Sequence, residues 1–354
     1  MKIIDKYILS QLVITTFLAL MLLLALFTFL SLIDQLGDSG KGNYDTLKVL
    51  KYVLLSVPRL IYELLPIAAV IGGMTALGIF SYNNELVVLR TAGVSLPRLC
   101  YVMSKGALVI IIFSMVIGEL IAPLCEQSAQ QMRSMALSEQ IAMKTSNGFW
   151  SRDANSYINI RKILPGEKLG DIYIYEFENK KLRASTYAES ANFINGKWQL
   201  KNIEQTVISN NEIKKKYIEL AVWDSLLSPD VINMITIEPE YLTIWGLKNY
   251  IEYLKLNEQN SQRYAQAMWS KIFSPLTILV MVLLAVPLVK SNSRMTSVGQ
   301  RVFAGCLIGI GFYFLSQISS KIGIVYSANP VLVALGPTMI FMAIILYMLK
   351  RARN

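Results

Sequence analysis

The chain has 354 residues, 54% of them hydrophobic and only 16% charged, a balance that suits a polytopic membrane protein better than a soluble domain. It carries 34 basic and 24 acidic residues, for a net charge of +10, and no histidine. Without histidine the chain lacks the commonest metal ligand and the usual catalytic base. No Gly-x-x-x-x-Gly-Lys-Ser/Thr phosphate loop, His-Glu-x-x-His, Cys-x-x-Cys or Gly-x-Ser-x-Gly pattern occurs. Energy for any active transport must then come from another chain or from an ion gradient. Cys100, Cys125 and Cys306 lie far apart, in or at the ends of apolar segments, and read as small buried apolar residues.

Six apolar stretches are long enough to cross about 30 Å of hydrocarbon. They cover 11–33, 52–80, 99–124, 268–289, 301–320 and 331–349. The first is nearly unbroken and no cleavage-site pattern follows it, so it reads as a retained anchor. The second contains Pro58, Pro66, Gly72, Gly73 and Gly78. Such residues are tolerated in membrane helices where neighbours satisfy the backbone and small side chains permit close approach. It also holds Arg59 one turn before Glu63, which reads either as a local ion pair near the interface or as charge facing the bundle interior. Glu119, near the end of the third stretch, reads either as a charge facing the bundle interior or as an interfacial hydrogen-bonding group.

Between the second and third stretches runs Tyr82-Asn83-Asn84-Glu85-Leu86-Val87-Val88-Leu89-Arg90-Thr91-Ala92-Gly93. It predicts a short helix over about 83–92, capped by Asn83 or Asn84 and ended by Gly93. In a membrane chain with no nucleotide site of its own, such a helix is suited to receive a push from a separate motor. Glu85, Leu86 and Arg90 are the candidate contacts.

Orientation follows from the short loops. One set holds ten basic residues (Lys2, Lys6, Arg90, Arg98, Lys290, Arg294, Arg301, Lys350, Arg351 and Arg353) against only Asp5 and Glu85. Basic residues concentrate on the cytoplasmic side, which places both termini and the short helix there. The polar insert at 126–245 then falls on the other side. It reads as β: Ser156–Ile160 and Ile172–Phe177 are rich in β-branched and aromatic residues. Phe193-Ile194-Asn195-Gly196-Lys197-Trp198 is a hairpin signal, because Asn-Gly supplies the positive φ of a type I′ turn. Several strands with regular turns predict a sandwich or jelly roll. The insert holds 14 basic and 15 acidic residues, leaving 20 and 9 elsewhere, so the net charge belongs to the membrane part and is not a nucleic-acid footprint. The aromatic-rich 245–254 segment predicts an interfacial helix before the fourth span. The organisation is thus 1–125, three spans with the short helix; 126–245, an all-β domain; and 246–354, the interfacial helix and three more spans.

Several stretches together carry a family resemblance. They are Asp34-Gln35-Leu36 with Gly42-Asn43-Tyr44-Asp45, Leu55-Ser56-Val57-Pro58, Glu85-Leu86-Val87-Val88, Gly118-Glu119 with Ala122-Pro123, and Met268-Trp269-Ser270-Lys271-Ile272-Phe273. In this order and spacing, across essentially the whole chain, the sequence resembles the lipopolysaccharide-export permeases of Gram-negative bacteria, the LptF/LptG family. The resemblance implies six transmembrane helices with a periplasmic β-jelly roll between the third and fourth, in the bacterial inner membrane. It implies a non-catalytic subunit paired with an LptF paralogue above an LptB ATPase dimer that uses ATP and magnesium. The small membrane protein LptC and a periplasmic LptA bridge complete the expected assembly, and no cofactor is expected in this chain. Lipopolysaccharide would enter between the paired subunits and be squeezed upward into the β-jelly rolls.

The helix opening at Glu85 matches the family's coupling helix. Arg133 matches a basic position above the cavity, and Arg59 one near its outer rim. By topology Lys41 and Lys271 fall at the same level, so Lys41, Arg59, Arg133 and Lys271 are the candidate lipopolysaccharide contacts, although Lys271 could also snorkel. One departure stands out: Gly37 and Asp38 follow Asp34-Gln35-Leu36 where some relatives carry lysines, leaving Lys41 as the only nearby base. The competing reading is a membrane-anchored periplasmic adaptor without a lipid path of its own.

Overall fold

The computed structural model describes residues 3–91, 93–137, 149–153, 156–164, 168–178, 181–194, 197–208, 212–223, 238–257, 259–291 and 298–353. Its first helices are α1 (Ile3–Leu36), α2 (Thr46–Tyr82) and the short α3 (Glu85–Thr91). Helix α4 (Leu96–Val116) passes through a π-helical turn (Ile117–Ile121) into α5 (Ala122–Leu137). Then come β1 (Phe149–Asp153), β2 (Ser156–Leu164), β3 (Lys168–Glu178), β4 (Lys181–Ile194), β5 (Lys197–Ile208) and β6 (Ile213–Trp223). A 3-10 turn (Pro239–Tyr241) leads into α6 (Ile244–Leu256), α7 (Gln262–Ser291), α8 (Val298–Val325) and α9 (Pro330–Arg353). Six of these helical stretches are long and apolar enough to cross a membrane, as the sequence predicts.

Helix α2 is the axis of the bundle. Most of its apolar window is covered by other helices, whereas α8 and α9 leave most of theirs uncovered. Its small residues explain this. A Cβ on Gly72 would lie 2.4 Å from the Thr16 Cα of α1, so the two backbones meet at a distance that only glycine permits. The Thr15 hydroxyl donates to the Gly72 carbonyl across the same contact at 2.9 Å. Around it Leu12, Leu65, Ala68, Ala69, Met281 and Ala285 form the main apolar core.

The insert is an antiparallel sheet with strand order β1-β2-β3-β4-β5-β6. The two segments read as strands from sequence lie in β2 and β3 and pair directly, Ile158 opposite Ile174. Alternation buries Ile158, Ile172, Ile174, Ala188, Trp198 and Ile203 in one apolar cluster. The expected hairpin forms between β4 and β5, with Ile194 paired to Lys197 and the Phe193 and Trp198 rings packed edge to face at 5.1 Å. Its turn residues, Asn195 and Gly196, lie outside the described residues, as do Asn292 and Arg294. Among the described residues the strands form one antiparallel meander in chain order. The third span does not stop near 125: its helix continues to Leu137, carrying Arg133 beyond the apolar segment.

Candidate functional site

Polar groups gather at two opposite ends of the bundle. At the end holding α3, Arg98 at the start of α4 grips the Asp5 carboxylate of α1 at 2.7 Å. Arg301, at the start of α8, donates to the Gly78 carbonyl and the Ser81 hydroxyl of α2 at 3.2 and 3.1 Å. These bonds draw the ends of four helices into one platform, and α3 lies against it.

The entry to α3 differs in detail from the sequence expectation. Asn83 closes α2 through its backbone N–H, and its side-chain amide donates to the Glu85 carboxylate at 3.1 Å instead of capping the helix. Asn84 has φ +59°, and its carbonyl accepts the first N–H groups of α3, from Val87 and Val88. Asparagine tolerates this left-handed geometry better than most residues, because its short polar side chain bonds locally. Gly93, at φ +85°, ends the segment as predicted. The Tyr7 hydroxyl approaches Glu85 at 3.5 Å.

Helix α3 is two-faced. Leu86 and Leu89 pack inward on the main core, and with Val94, Ser95, Leu96 and Leu99 they line a shallow groove. Val87 and Val88 point outward, 60% and 64% exposed. Leu86 is thus an anchor of the helix, and the outward residues missed from sequence are Val87 and Val88. Their signal was available: in a seven-residue helix whose leucines face inward, the intervening valines must face out. The Arg90 side chain lies outside the described residues.

At the opposite end the four candidate cations fall into two groups, one holding Lys41, Arg133 and Arg59 and the other Lys271. Lys41 and Arg133 share Asp38: Lys41 Nζ is 2.6 Å from one carboxylate oxygen and Arg133 Nη2 is 2.8 Å from the other. The Arg133 guanidinium lies over the Tyr52 ring, 5.6 Å from its centroid. Gln130 donates to the Tyr52 hydroxyl at 3.1 Å and to Glu126 at 2.8 Å. Arg59 lies 3.7 Å from the fully buried Glu126 and donates to the Tyr241 hydroxyl at 2.7 Å. The local Arg59–Glu63 pair is looser, at 3.9 Å. Close by in sequence, the Ile244 N–H that opens α6 donates to Glu119 at 2.9 Å, and Glu119 lies 3.5 Å from Lys271 of α7.

The π-helical turn makes this last contact possible. One extra residue in the turn re-aims the Gly118–Glu119 segment. A Cβ on Gly118 would sit 2.4 Å from the Tyr62 ring, so glycine lets α2 close over the turn. Lys271 does not snorkel. Its side chain is 7% exposed, spans to Glu119 and also donates to the Gly118 carbonyl at 3.4 Å.

The four cations are not equally available. Lys271 is covered, at 7% exposure, and Arg59 largely so, at 20%, each facing the protein's own carboxylates, whereas the Arg133 side chain is 30% exposed and that of Lys41 62%. Bonds from Lys41 and Arg133 hold the Asp38 carboxyl below the usual carboxylate range, and burial raises the Tyr241 phenol above its ordinary value. Asp38 stands out in the sequence only as the residue that replaces a family base, and Glu126, Gln130 and Tyr241 carry no local signal that distinguishes them. Among the described residues no cluster of His, Cys, Asp and Glu is arranged to hold a metal.

The lipopolysaccharide export system permease LptF/LptG family profile matches residues 6–351, from the first turns of α1 almost to the end of α9. The chain belongs to this family. Among LptF/LptG relatives, the lipopolysaccharide export system permease protein LptG of Escherichia coli K12 is 34% identical over 353 residues, covering 99% of this chain and 98% of the relative. The LptG protein of Haemophilus influenzae is 31% identical over 357 residues, covering 99% of each chain. Membership of the LptF/LptG family together with six apolar helices makes this a multi-pass inner-membrane permease subunit.

Proposed function

We propose that the chain is the LptG-type half of an ATP-driven lipopolysaccharide exporter, paired with an LptF paralogue and driven by an LptB ATPase dimer docked beneath α3. The observation that carries this reading is the separation of two polar sites by the full height of the bundle. A two-faced helix lies at one end, and cations from the α1–α2 loop, α2, α5 and α7 lie at the other. A push on α3 enters the core through Leu86 and Leu89. Helix α2 then spans the whole distance, since it ends beside Glu85 and carries Arg59 and Tyr52 at the far end.

In this reading the α3 end and both termini are cytoplasmic and the sheet is periplasmic, consistent with the ten-to-two basic bias of the loops. Lys41 and Arg133 meet the phosphates of the lipid, while Arg59 and Lys271 brace the wall beneath them. The uncovered apolar faces of α1, α8 and α9 suit contact with lipid and with the LptF partner. LptC and the LptA bridge would complete the path toward the outer membrane, with nucleotide chemistry carried out on the separate ATPase chain.

Glu85→Lys tests the coupling. It reverses the charge at the opening of α3 and sets a cation beside the Asn83 amide, while Glu85→Asp keeps a negative group at the helix N-terminus, a role worth about 0.3–1 kcal/mol. The expected result is weakened ATPase co-purification or uncoupled hydrolysis with Lys, and near-normal behaviour with Asp. Normal export and ATPase binding by the Lys variant would refute the coupling role.

A further inference from the structure

The α1–α2 loop is shaped to deliver Asp38 to Arg133. The Asn43 N–H donates to the Ala136 carbonyl of α5 at 2.8 Å, and a Cβ on Gly42 would lie 2.7 Å from that same carbonyl. Gly40 and Gly42 adopt φ +88° and +58°, conformations that glycine reaches at little cost. The loop is thereby pinned to the last turns of α5, where Arg133 projects. Each oxygen of Asp38 takes one cation: Oδ1 faces Lys41 and Oδ2 faces Arg133. Arg133 contributes a single N–H to this contact, and the exposed Lys41 ammonium contributes one of its three. A carboxylate with two oxygens therefore leaves donors of the pair unused, whereas a phosphate monoester, with three strong acceptor oxygens and up to two charges, would use more of them.

We infer that Asp38 is an internal competitor for the phosphate of the transported glycolipid: it holds Lys41 and Arg133 when no lipid is present and must release them for phosphate to bind. This rests on the proposed role of Lys41 and Arg133 as lipid contacts. The two cations sum to +2 and Asp38 cancels one charge, so the occupied pair still attracts an anion while its donors are held. When the binding-competent form is only a fraction of the population, the apparent dissociation constant rises by the inverse of that fraction. Exposed ion pairs of this kind bias such an equilibrium by a modest factor, so releasing the pair is expected to tighten binding about fivefold. The device also gives selectivity, because a lipid without phosphate has nothing to offer in exchange for the carboxylate.

The test uses the full chain, in the complex in which it co-purifies, in phosphatidylcholine nanodiscs. Binding of diphosphorylated lipid A is compared for the native chain, Asp38→Asn, Asp34→Asn and Arg133→Ala. Asp34 lies one turn earlier and has no ion pair among the described residues, so its variant removes the same charge without releasing a cation. The expected result is about fivefold tighter binding with Asp38→Asn alone, no gain for lipid A stripped of phosphates, and loss of the gain when Arg133→Ala is added. Inorganic phosphate competing equally well in both chains would assign the site to free phosphate and overturn the proposal. An equal gain with Asp34→Asn, or weaker binding with Asp38→Asn, would overturn it too, the latter making Asp38 a simple brace. If Arg133→Ala in the native background leaves binding unchanged, the lipid-contact reading itself fails, a result distinct from the others.

Discussion

Removing the Glu119 carboxylate should cost more than removing the lysine it faces, and the reason lies in the geometry. Glu119 serves two groups, the Ile244 N–H at 2.9 Å and Lys271 Nζ at 3.5 Å. Glu119→Ala orphans both. An unsatisfied buried donor costs about 1–3 kcal/mol, and an unpaired buried charge about 3–5 kcal/mol. Lys271 keeps the Gly118 carbonyl at 3.4 Å, and the Glu119 side chain is 27% exposed, so the site is partly wet and the lower end of each range applies. About 4 kcal/mol is expected for Glu119→Ala. Lys271→Met leaves Glu119 with its backbone donor and access to water, and replaces a covered ammonium by an apolar chain of similar length, so about 1 kcal/mol is expected.

The double variant should be more stable than Glu119→Ala alone, since the orphaned charge is gone. Reversible unfolding of the purified complex in mixed micelles, followed by loss of helical signal, gives the three values. A Lys271→Met cost equal to that of Glu119→Ala, or strictly additive costs in the double variant, would refute the account of Glu119 as the shared partner.

Two further outcomes follow. The Asp38 carboxyl is held below its ordinary pKa of about 3.9 by Lys41 and Arg133. Its contribution, about 1 kcal/mol for two exposed pairs sharing one carboxylate, is therefore present in full above the ordinary pKa and lost as pH falls through the depressed folded value. Melting of the native chain and Asp38→Asn should differ by a constant margin from pH 8 to about pH 5 and converge near pH 2–3; a margin that survives to that pH would contradict the assignment. Topology can be read by thiol labelling in a background lacking Cys100, Cys125 and Cys306: an impermeant reagent added from the periplasm should label a cysteine at Asn195 and not one at Asn292, and labelling at 292 alone would reverse the orientation.

Much of the architecture is legible in the sequence because bilayer crossing is a property of a single segment. A run of about 20 apolar residues must form a helix, since lipid offers no partner to an open backbone. The six spans, the α3 segment and strands β2 and β3 follow from such local patterns, as does the β4–β5 hairpin from its Asn-Gly. The positions of the candidate cations at one end are legible for the same reason, since alternation of spans sorts the loops into two sides. Their availability is not. Arg59 and Lys271 look as free in the sequence as Lys41 and Arg133, yet Glu126 and Glu119 cover the first two and Asp38 shares the second pair. Glu119 lies 152 positions from Lys271, and only the π-helical turn and the Gly118–Tyr62 contact bring them together. Apolar periodicity is written locally, but the partner of a charge depends on how separate helices pack. The spans were therefore set by the sequence alone, and tertiary structure alone decided which cations remain available to an anion.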